Sequence, residues 1–352
     1  MDSNNKSAQT TPVSAQAHVG DRIDVCVDAM GGDDAPSVVL EAIRQLCAST
    51  SDLDQQIKIT LTGSAHDIEP IAARYPERVS AVPTTQVITM DEHPAHAVKQ
   101  KRDSSIVVGC KLLSDGRADA FFSAGSTGAV MTAATLQIGR IRGIKRPAIA
   151  TVIPALAGPV VLLDVGANAD VEPEYLLQFA KMGSIYAHKV LAVAQPRIGL
   201  LNVGSEPSKG SRLVQAAYAL IEQEVAGFIG NVEGNDIFSG RVDVIVADGF
   251  TGNIALKAME GTVGTLFSEL KRVFMSSPTN KLAAALIKRD LAVLKDHLDI
   301  EVIGGAPLLG LRHAVVIGHG SSSAFAILNG IRQTARASLS RLPQLIEEAL
   351  FV

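Results

Sequence analysis

The architecture of this chain follows from one stretch, Val242-Asp-Val-Ile-Val-Ala-Asp-Gly-Phe-Thr-Gly-Asn-Ile-Ala-Leu-Lys257. Its first six residues are mostly apolar and β-branched, which predicts a short strand covered on both faces. From Asn253 onward the apolar residues follow helical spacing, so a helix begins where the strand ends. Unpaired amides in the first turn of a helix and the positive end of its dipole favour anions. The stretch therefore predicts a phosphate or carboxylate site, with Gly249 and Gly252 letting the ligand approach the backbone.

Four other stretches repeat this order of an apolar run followed by a glycine-containing polar cluster. They are residues 25–33, 120–128, 160–168 and 198–206, with residues 314–322 as a weaker example. A single turn of this kind more often only ends a strand than forms a ligand site. Open α/β sheets bring the carboxyl ends of their parallel strands to one edge, so we expect the five turns to meet there around a ligand.

Helical segments alternate with these strands. Residues 37–47 carry apolar side chains at helical spacing, and Ser104 and Ser105 are typical of the start of a helix that runs through Leu113. The alternation predicts an α/β fold with three layers, α/β/α, around a mostly parallel sheet. No linker rich in Pro, Gly and Ser divides the chain, so residues 22–352 are expected to form one catalytic unit or two interleaved subdomains.

Composition excludes several classes of function. The net charge of −4 gives no reason to expect nucleic acid as a partner. The three cysteines lack metal or redox spacing, which indicates core packing in a reduced cytoplasm. The motifs Gly-x-Ser-x-Gly, His-Glu-x-x-His and Cys-x-x-Cys do not occur, so we expect neither a serine hydrolase nor a zinc enzyme, and no metal or cofactor.

The N-terminal residues 1–21 are rich in Ser, Thr, Asn, Gln and Ala and lack the apolar core of a signal peptide. They predict a disordered tail. Elsewhere the sequence offers no run of roughly 20 uninterrupted apolar residues, the length that crosses a bilayer. We therefore expect a cytoplasmic protein that at most associates peripherally with a membrane.

Six ordered motifs are similar to those of the PlsX-type phosphate acyltransferases of bacterial phospholipid synthesis. They are Asp28-Ala-Met-Gly-Gly-Asp33, Ser123-Ala-Gly-Ser-Thr-Gly-Ala129, Leu163-Asp-Val-Gly-Ala-Asn168, Leu200-Leu-Asn-Val-Gly204, Asp248-Gly-Phe-Thr-Gly-Asn253, and Gly304-Gly-Ala-Pro-Leu-Leu-Gly310 with His319-Gly-Ser-Ser322. The resemblance extends from about Ile23 to Arg332. Ser126 stands where this family usually has Asn, although a hydroxyl can also cap a helix and donate to an anion.

The resemblance implies transfer of a fatty acyl group from the thioester of acyl carrier protein to inorganic phosphate. The product would be an acyl phosphate, which a membrane glycerol-3-phosphate acyltransferase consumes. The family also implies a homodimer, peripheral membrane association, and a fold similar to phosphotransacetylases and isopropylmalate dehydrogenases. Phosphate is already a nucleophile at neutral pH and the leaving thiol has a pKa near about 8.5, so neither a catalytic triad nor a metal is required.

Such a reaction needs groups that orient phosphate and stabilise the tetrahedral oxyanion. We assign these roles to two glycine-containing turns and three further side chains. The predicted phosphate and oxyanion residues are Ser126, Thr127, Gly128, Thr251, Gly252 and Asn253; the predicted catalytic residues are Lys257, His319 and Asn202; and the predicted supporting loops contain Asp28, Gly31, Gly32, Asp164, Asn168 and Asp248. The alternatives are that the hydroxyl groups only cap helices, Lys257 is ion-paired, and His319 is bonded to its own backbone.

The densest basic stretch of the first half contains Lys99, Lys101 and Arg102. Runs of charge usually form a solvated face. The alternative is that these residues receive the acidic surface of acyl carrier protein, an effect that would appear in the association rate and its salt dependence.

Residues 274–295 predict a helical projection. Lys281, Lys288 and Lys295 recur every seven residues and so share one helix face, while Leu286 and Ile287 fall on the opposite, apolar face. This layout is typical of a segment that docks on an anionic membrane. A helix that buries the apolar stripe in the core or in a dimer contact is the alternative.

Two other function classes stay open. An NAD-dependent decarboxylating dehydrogenase on the same fold would need an acidic metal cluster and a nicotinamide pocket, neither of which we can identify in the sequence. A non-catalytic scaffold would bind acylated carrier protein but release no thiol when phosphate is added.

Overall fold

The computed structural model describes residues 22–155, 158–291, 294 and 304–350. The predicted tail at residues 1–21 and the predicted membrane-facing Lys295 lie outside the described residues. The strands are β1 (Ile23–Asp28), β2 (Ile57–Gly63), β3 (Val79–Pro83), β4 (Ala120–Ser123), β5 (Ala148–Ile153), β6 (Val160–Leu163), β7 (Ile198–Leu201), β8 (Phe228–Val232), β9 (Val244–Val246), β10 (Ala306–Leu309) and β11 (Ala314–Ile317). The first ten α-helices are α1 (Ser37–Ala48), α2 (Asp52–Gln56), α3 (Ala65–Arg74), α4 (Pro94–Gln100), α5 (Ser105–Ser114), α6 (Thr127–Gln137), α7 (Pro173–Lys189), α8 (Arg212–Glu224), α9 (Gly249–Met275) and α10 (Pro278–Leu286). A 3₁₀-helix spans Gly234–Phe238.

 The helices nearest the C-terminus are α11, described over residues 288–291, α12 (Ala324–Leu339) and α13 (Leu342–Leu350).

The eleven described strands form one sheet in the order β3-β2-β1-β4-β11-β10-β5-β6-β9-β7-β8. The first five strands of this order are parallel to one another. The last four are also parallel to one another. Between these blocks, β10 is antiparallel to both β11 and β5, and β5 is antiparallel to β6. The predicted α/β class with a mostly parallel sheet is confirmed, but the two parallel blocks run in opposite directions.

This reversal corrects the expectation that all the glycine-containing turns meet at one edge. The turns after β1, β4 and β11 lie at one edge of the sheet, whereas those after β6, β7 and β9 lie at the opposite edge. The physical reason is three successive antiparallel contacts, β11 with β10, β10 with β5 and β5 with β6; an odd number of such contacts reverses the second block. A site that uses both sets of turns must therefore lie over the face of the sheet, near β5.

The two halves of the sheet are interleaved in the chain. The first half contains β1 to β4 and then β10 and β11, and the second half, β5 to β9, is inserted between them. Helices cover both faces: α5 and α6 pack with one apolar cluster, and α7 packs with another on the opposite face. The predicted helices over residues 37–47 and 104–113 are confirmed as α1 and α5, and the Ser104 hydroxyl accepts from the Val107 amide at 3.5 Å.

A helical projection extends from the second half of the sheet. Within the 27 residues of α9 only Gly249, Gly252 and Leu256 are buried, and no residue of α10 is buried. Leu286 is 79% exposed and Ile287 39% exposed. The projection therefore begins earlier than the predicted residue 274.

The prediction of one continuous face of lysines along this projection is wrong. Helix α10 ends at Leu286, and Ile287 leaves the helical conformation with φ −104° and ψ 10°. Lys281 and Lys288 therefore lie on separate helical segments, and their spacing of seven residues no longer places them on one face. In the described part of the chain, no helix combines the length and the apolar character needed to span a membrane.

Candidate active site

A cavity of about 740 Å³ lies over the face of β5, between the two halves of the sheet. Alternate residues of β5, Ile149, Thr151 and Ile153, form its floor, as the two-residue period of a strand requires. One wall is helix α9, and the opposite wall contains the first turns of α6 and α12. The volume is that of a typical small-molecule site.

Three charged or titratable side chains meet in this cavity. The Lys257 Nζ atom lies 2.8 Å from Glu260 Oε2 and 3.5 Å from His319 Nε2. The Nδ1 atom of His319 lies 2.8 Å from Ser321 Oγ and accepts from the Ser321 amide at 3.3 Å, so the turn after β11 fixes the orientation of the ring. The Lys257 ammonium and the His319 imidazole therefore meet in one region of the cavity, although the residues are 62 positions apart in the chain.

Sequence reasoning named Lys257 and His319 but missed three residues of this site. Glu260 lies one helical turn after Lys257 on the same face of α9, and that spacing was the available signal. Ser321 and Ser322 also line the cavity and belong to the turn that follows β11. Both belong to the motif His319-Gly-Ser-Ser322, and their place in that motif was the available signal.

The first turn of α6 is open to a ligand. Thr127 lines the cavity, and the preceding N-cap residue, Ser126, has no side-chain cap hydrogen bond. The amides of Thr127, Gly128 and Ala129 donate to none of the residues that the structure describes. Ser123 at the end of β4 pairs with Ile317 at the end of β11, so this turn lies beside the turn that contains His319.

Acceptors of the protein itself occupy two of the three amides in the first turn of α9, those of Gly249 and Thr251. The Gly249 amide donates to the Asn168 carbonyl at 2.7 Å, and the Gly252 amide donates to the Asp248 carbonyl at 2.9 Å. The Thr251 amide and hydroxyl both donate to the Asp248 carboxylate, at 2.8 and 2.7 Å. Thr251 and Gly252 therefore do not offer the predicted donors to phosphate, because Asp248 is the helix cap and Thr251 donates to it. Asn253 alone of this trio lines the cavity.

The glycines of this turn accommodate another loop of the protein. A side chain at Gly252 would overlap the backbone carbonyl oxygen of Asp164, and one at Gly249 would lie 2.8 Å from the Asp164 carboxylate. The expectation that these glycines let a ligand approach is thus corrected. Their small size lets the loop after β6 pack against the start of α9.

Asp164 organises that loop from a fully buried position. Its carboxylate accepts from the amides of Ile149, Ala167 and Asn168 at 3.0, 3.1 and 2.7 Å, and from Asn168 Nδ2 at 2.9 Å. Burial raises the pKa of Asp164, although these hydrogen bonds act in the opposite direction. Asn168 Nδ2 also donates to the Pro147 carbonyl at 2.7 Å. These contacts hold β5, the floor of the cavity, against the α9 wall.

In the first half of the sheet, Asp28 organises the loop after β1 as Asp164 organises the loop after β6. Its buried carboxylate accepts from Ser123 Oγ at 2.7 Å and from the Met30 amide at 3.0 Å, and burial raises its pKa. A side chain at Gly31 would lie 2.6 Å from this carboxylate. Gly32 has a φ of +117°, which a residue with a side chain rarely adopts. The loop therefore supports the turn after β4, beside the start of α6.

Two groups of predicted residues lie outside the cavity. Asn202 donates from Nδ2 to the Lys209 carbonyl at 3.1 Å and accepts from the Val203 amide at 2.8 Å, so it organises its own loop. It does not line the cavity with Lys257 and His319. The turn after β7, which contains Asn202, lies farther along the sheet than the turn after β9, and the catalytic role of Asn202 stays a prediction.

The basic stretch at residues 99–102 is only partly available to a partner. Lys101 donates to the Val87 carbonyl at 2.7 Å and forms an ion pair with Glu92 at 2.6 Å, so it holds a neighbouring loop. Lys99 and Arg102 are exposed. Over the described ranges, no cluster of three or more His, Cys, Asp or Glu side chains could hold a metal ion.

The fold places the chain among three-layer α/β/α proteins of the phosphotransacetylase type. A phosphotransacetylase from Streptococcus pyogenes superimposes with a TM-score of 0.60 at 16% identity, covering 90% of this chain and 94% of that chain. The EutD phosphotransacetylase from Staphylococcus aureus gives a TM-score of 0.56 at 17% identity, with the same coverage of 90% and 94%. These similarities concern the fold.

Sequence comparison identifies the family. The family described as fatty acid synthesis protein matches residues 23–344. The phosphate acyltransferase of Desulfitobacterium hafniense is 48% identical over 311 residues, which cover 88% of this chain and 92% of that protein. That of Oceanobacillus iheyensis is 47% identical with the same coverage. The chain therefore belongs to the phosphate acyltransferase family and is a transferase, as its motifs predicted.

Proposed function

We propose that this enzyme transfers a fatty acyl group from the thioester of acyl carrier protein to inorganic phosphate, producing an acyl phosphate for phospholipid synthesis. The observation that carries the proposal is the cavity over β5, which combines a polar cluster around Lys257 with an apolar remainder. Such a site suits a reaction that joins an anion to a hydrocarbon chain. Family membership supports the same reaction class.

Phosphate would bind at the first turn of α6. The amides of Thr127, Gly128 and Ala129 lack acceptors in the described part of the chain, and the positive end of the helix dipole adds to their attraction for an anion. The Ser126 hydroxyl, at the N-cap, is a further donor. Gly128 packs against Pro94, where a side chain would lie 2.6 Å from the proline ring, so α4 fixes the position of this turn.

Lys257 and His319 would act on the thioester. A phosphate oxygen attacks the carbonyl carbon, and the resulting oxyanion is stabilised by the Lys257 ammonium, which Glu260 orients at 2.8 Å. When the carbon–sulfur bond breaks, the proton that hydrogen phosphate loses on becoming an acyl phosphate would pass through the His319 imidazole to the departing thiolate. The acyl phosphate and the free thiol of the carrier are the products.

The activity is tested directly with purified protein, long-chain acyl carrier protein and phosphate. We expect release of free thiol and formation of an acyl phosphate that hydroxylamine traps, both undiminished by a chelator. Tight binding of the acylated carrier without thiol release would favour a scaffold. Reduction of a nicotinamide cofactor with hydroxy-acid substrates would favour a dehydrogenase.

The carrier would approach beside the start of α6. Lys99 and Arg102 are exposed on or next to α4, the helix that contacts α6 through Pro94, so their charge lies near the phosphate-binding turn. An acidic partner would be attracted there, with an effect that weakens as salt rises. The homodimer and the membrane glycerol-3-phosphate acyltransferase that receives the product remain predictions from the resemblance, and the cytoplasmic location remains a prediction from the sequence.

The projection formed by α9 and α10 would dock on an anionic membrane and deliver the acyl phosphate. Its exposed apolar residues include Leu282 at 65% and Leu286 at 79% exposure, without a buried residue in α10. We expect Leu286→Glu with Ile287→Glu to abolish co-sedimentation with anionic vesicles while solution activity and melting temperature stay unchanged. A folded double mutant that still binds these vesicles would contradict membrane docking.

A further inference from the structure

We infer that the part of the cavity beyond Lys257 holds the acyl chain and that Gly264 determines how long a chain fits. This inference rests on the proposed function and names the group of the substrate that this part of the site receives. The cavity continues past the polar cluster along one face of α9, where Val263, Gly264 and Phe267 line it. Ile153 and Pro154, at the end of β5, line the same cavity and are also apolar.

The position of Gly264 along α9 gives the relevant length. Seven residues separate Lys257 from Gly264, which corresponds to about 10 Å along the helix at a rise of ~1.5 Å per residue. Carbon–carbon bonds of about 1.5 Å advance an extended zigzag chain by about 1.3 Å per carbon, so the chain covers this distance in roughly eight carbons. A side chain at position 264 would therefore meet a long acyl chain beyond its first eight carbons and leave a short chain untouched.

Nothing in the packing of α9 requires glycine at this position. A Cβ atom added at Gly264 would have no heavy atom within 4 Å in the described structure. Glycine in a helix interior destabilises the helix relative to alanine, so its presence here has a cost that packing does not explain. Gly264 lines the cavity, so its missing side chain leaves open space for a ligand on that side of the helix.

Gly261 provides a matched control on the same helix. It is exposed, and a Cβ added there also meets no heavy atom within 4 Å. Unlike Gly264, it does not line the cavity. Leucine at either position should raise the helical propensity of α9 equally, so the two substitutions differ in the side of the helix that receives the new side chain.

The test compares Gly264→Leu with Gly261→Leu on octanoyl, dodecanoyl and hexadecanoyl carrier protein at saturating phosphate. We expect Gly264→Leu to keep kcat/KM for the octanoyl substrate within about twofold and to lose at least about tenfold for the hexadecanoyl substrate. Gly261→Leu should keep the chain-length profile of the wild type. Both variants should melt at or above the wild-type temperature, which shows that they are folded.

Two results would overturn the inference. The first is an unchanged chain-length profile in folded Gly264→Leu. The second is an equal loss on all three substrates, because that would place the pantetheine arm of the carrier, rather than the acyl chain, beside Gly264. Failure of the proposed function is distinguishable from both, since the wild-type protein would then release no thiol from any acyl carrier protein.

Discussion

The first turns of α6 and α9 have similar sequences but differ in whether the protein supplies acceptors for their amides. Both follow a buried strand, and both contain Thr and Gly at the point where an anion would bind. At α6 the amides of Thr127 and Gly128 have no acceptor in the described structure, whereas at α9 the Asn168 carbonyl and the Asp248 carboxylate occupy the amides of Gly249 and Thr251. A helix start is thus an anion site only if the protein supplies no acceptor of its own.

The largest expected effect comes from Gly252→Ala, because the added methyl group would overlap the Asp164 carbonyl. Backbone cannot move aside as a flexible side chain can, so we expect a loss of about 3 kcal/mol in the free energy of unfolding, the upper part of the usual range for overpacking. Urea unfolding measures it.

Gly261→Ala is the control for this prediction, since the same methyl group enters open space on the same helix. It should be neutral or slightly stabilising. A fully stable Gly252→Ala protein that has lost saturation by phosphate would instead restore the start of α9 as the anion site.

Asp54→Asn breaks the ion pair that anchors α12, and so tests whether phosphate binding at the first turn of α6 depends on that ion pair. Arg332 donates to both carboxylate oxygens of the buried Asp54, at 2.9 and 2.6 Å. We expect a loss of about 2 to 3 kcal/mol, below the range for a fully buried pair because Arg332 is 24% exposed. The phosphate KM should not change.

The pH dependence of this loss has a defined sign. Burial raises the pKa of Asp54, but the hydrogen bonds from Arg332 and Ser49 and the nearby positive charge outweigh it, so the pKa lies below its ordinary value. The stabilisation is therefore complete above about pH 5 and is lost as the pH falls through the lowered pKa. Unfolding free energies of wild type and Asp54→Asn should converge in acid, and a gap that widened there would contradict this assignment.

Lys257→Met separates the chemical role of α9 from phosphate binding at α6. If the ammonium stabilises the oxyanion, kcat should fall about 10- to 150-fold, the equivalent of one charged hydrogen bond, with little change in the phosphate KM. Lys281→Met, in the exposed α10, is the control and should keep wild-type kinetics in solution. A rise in phosphate KM at constant kcat would move the phosphate toward Lys257.

Local pattern was enough to predict the strands and the helices that follow them, and it named Lys257 and His319, which the structure brings together in one cavity. It was not enough to predict the reversal of the sheet, because that depends on how β10 pairs with β11 and how β5 pairs with β10 and β6. Nor could it reveal that Asn168 occupies the amide of Gly249, since the acceptor belongs to a loop about 80 residues earlier, while Asn202 is retained by its own loop. Contacts between distant segments decided which predicted residues reach the cavity.

The most direct test compares phosphate saturation in Thr127→Pro and Thr251→Val. Proline is tolerated at the first position of a helix, and Ser126, with φ −53° and ψ 113°, has the extended backbone that precedes proline. Thr127→Pro therefore removes an amide donor while the fold stays intact, and we expect the phosphate KM to rise about tenfold, as for the loss of one good donor. Thr251→Val, whose hydroxyl is bonded to Asp248, should keep its phosphate KM. The opposite pattern, with phosphate saturation unchanged in Thr127→Pro and weakened in Thr251→Val, would contradict the assignment of phosphate to α6.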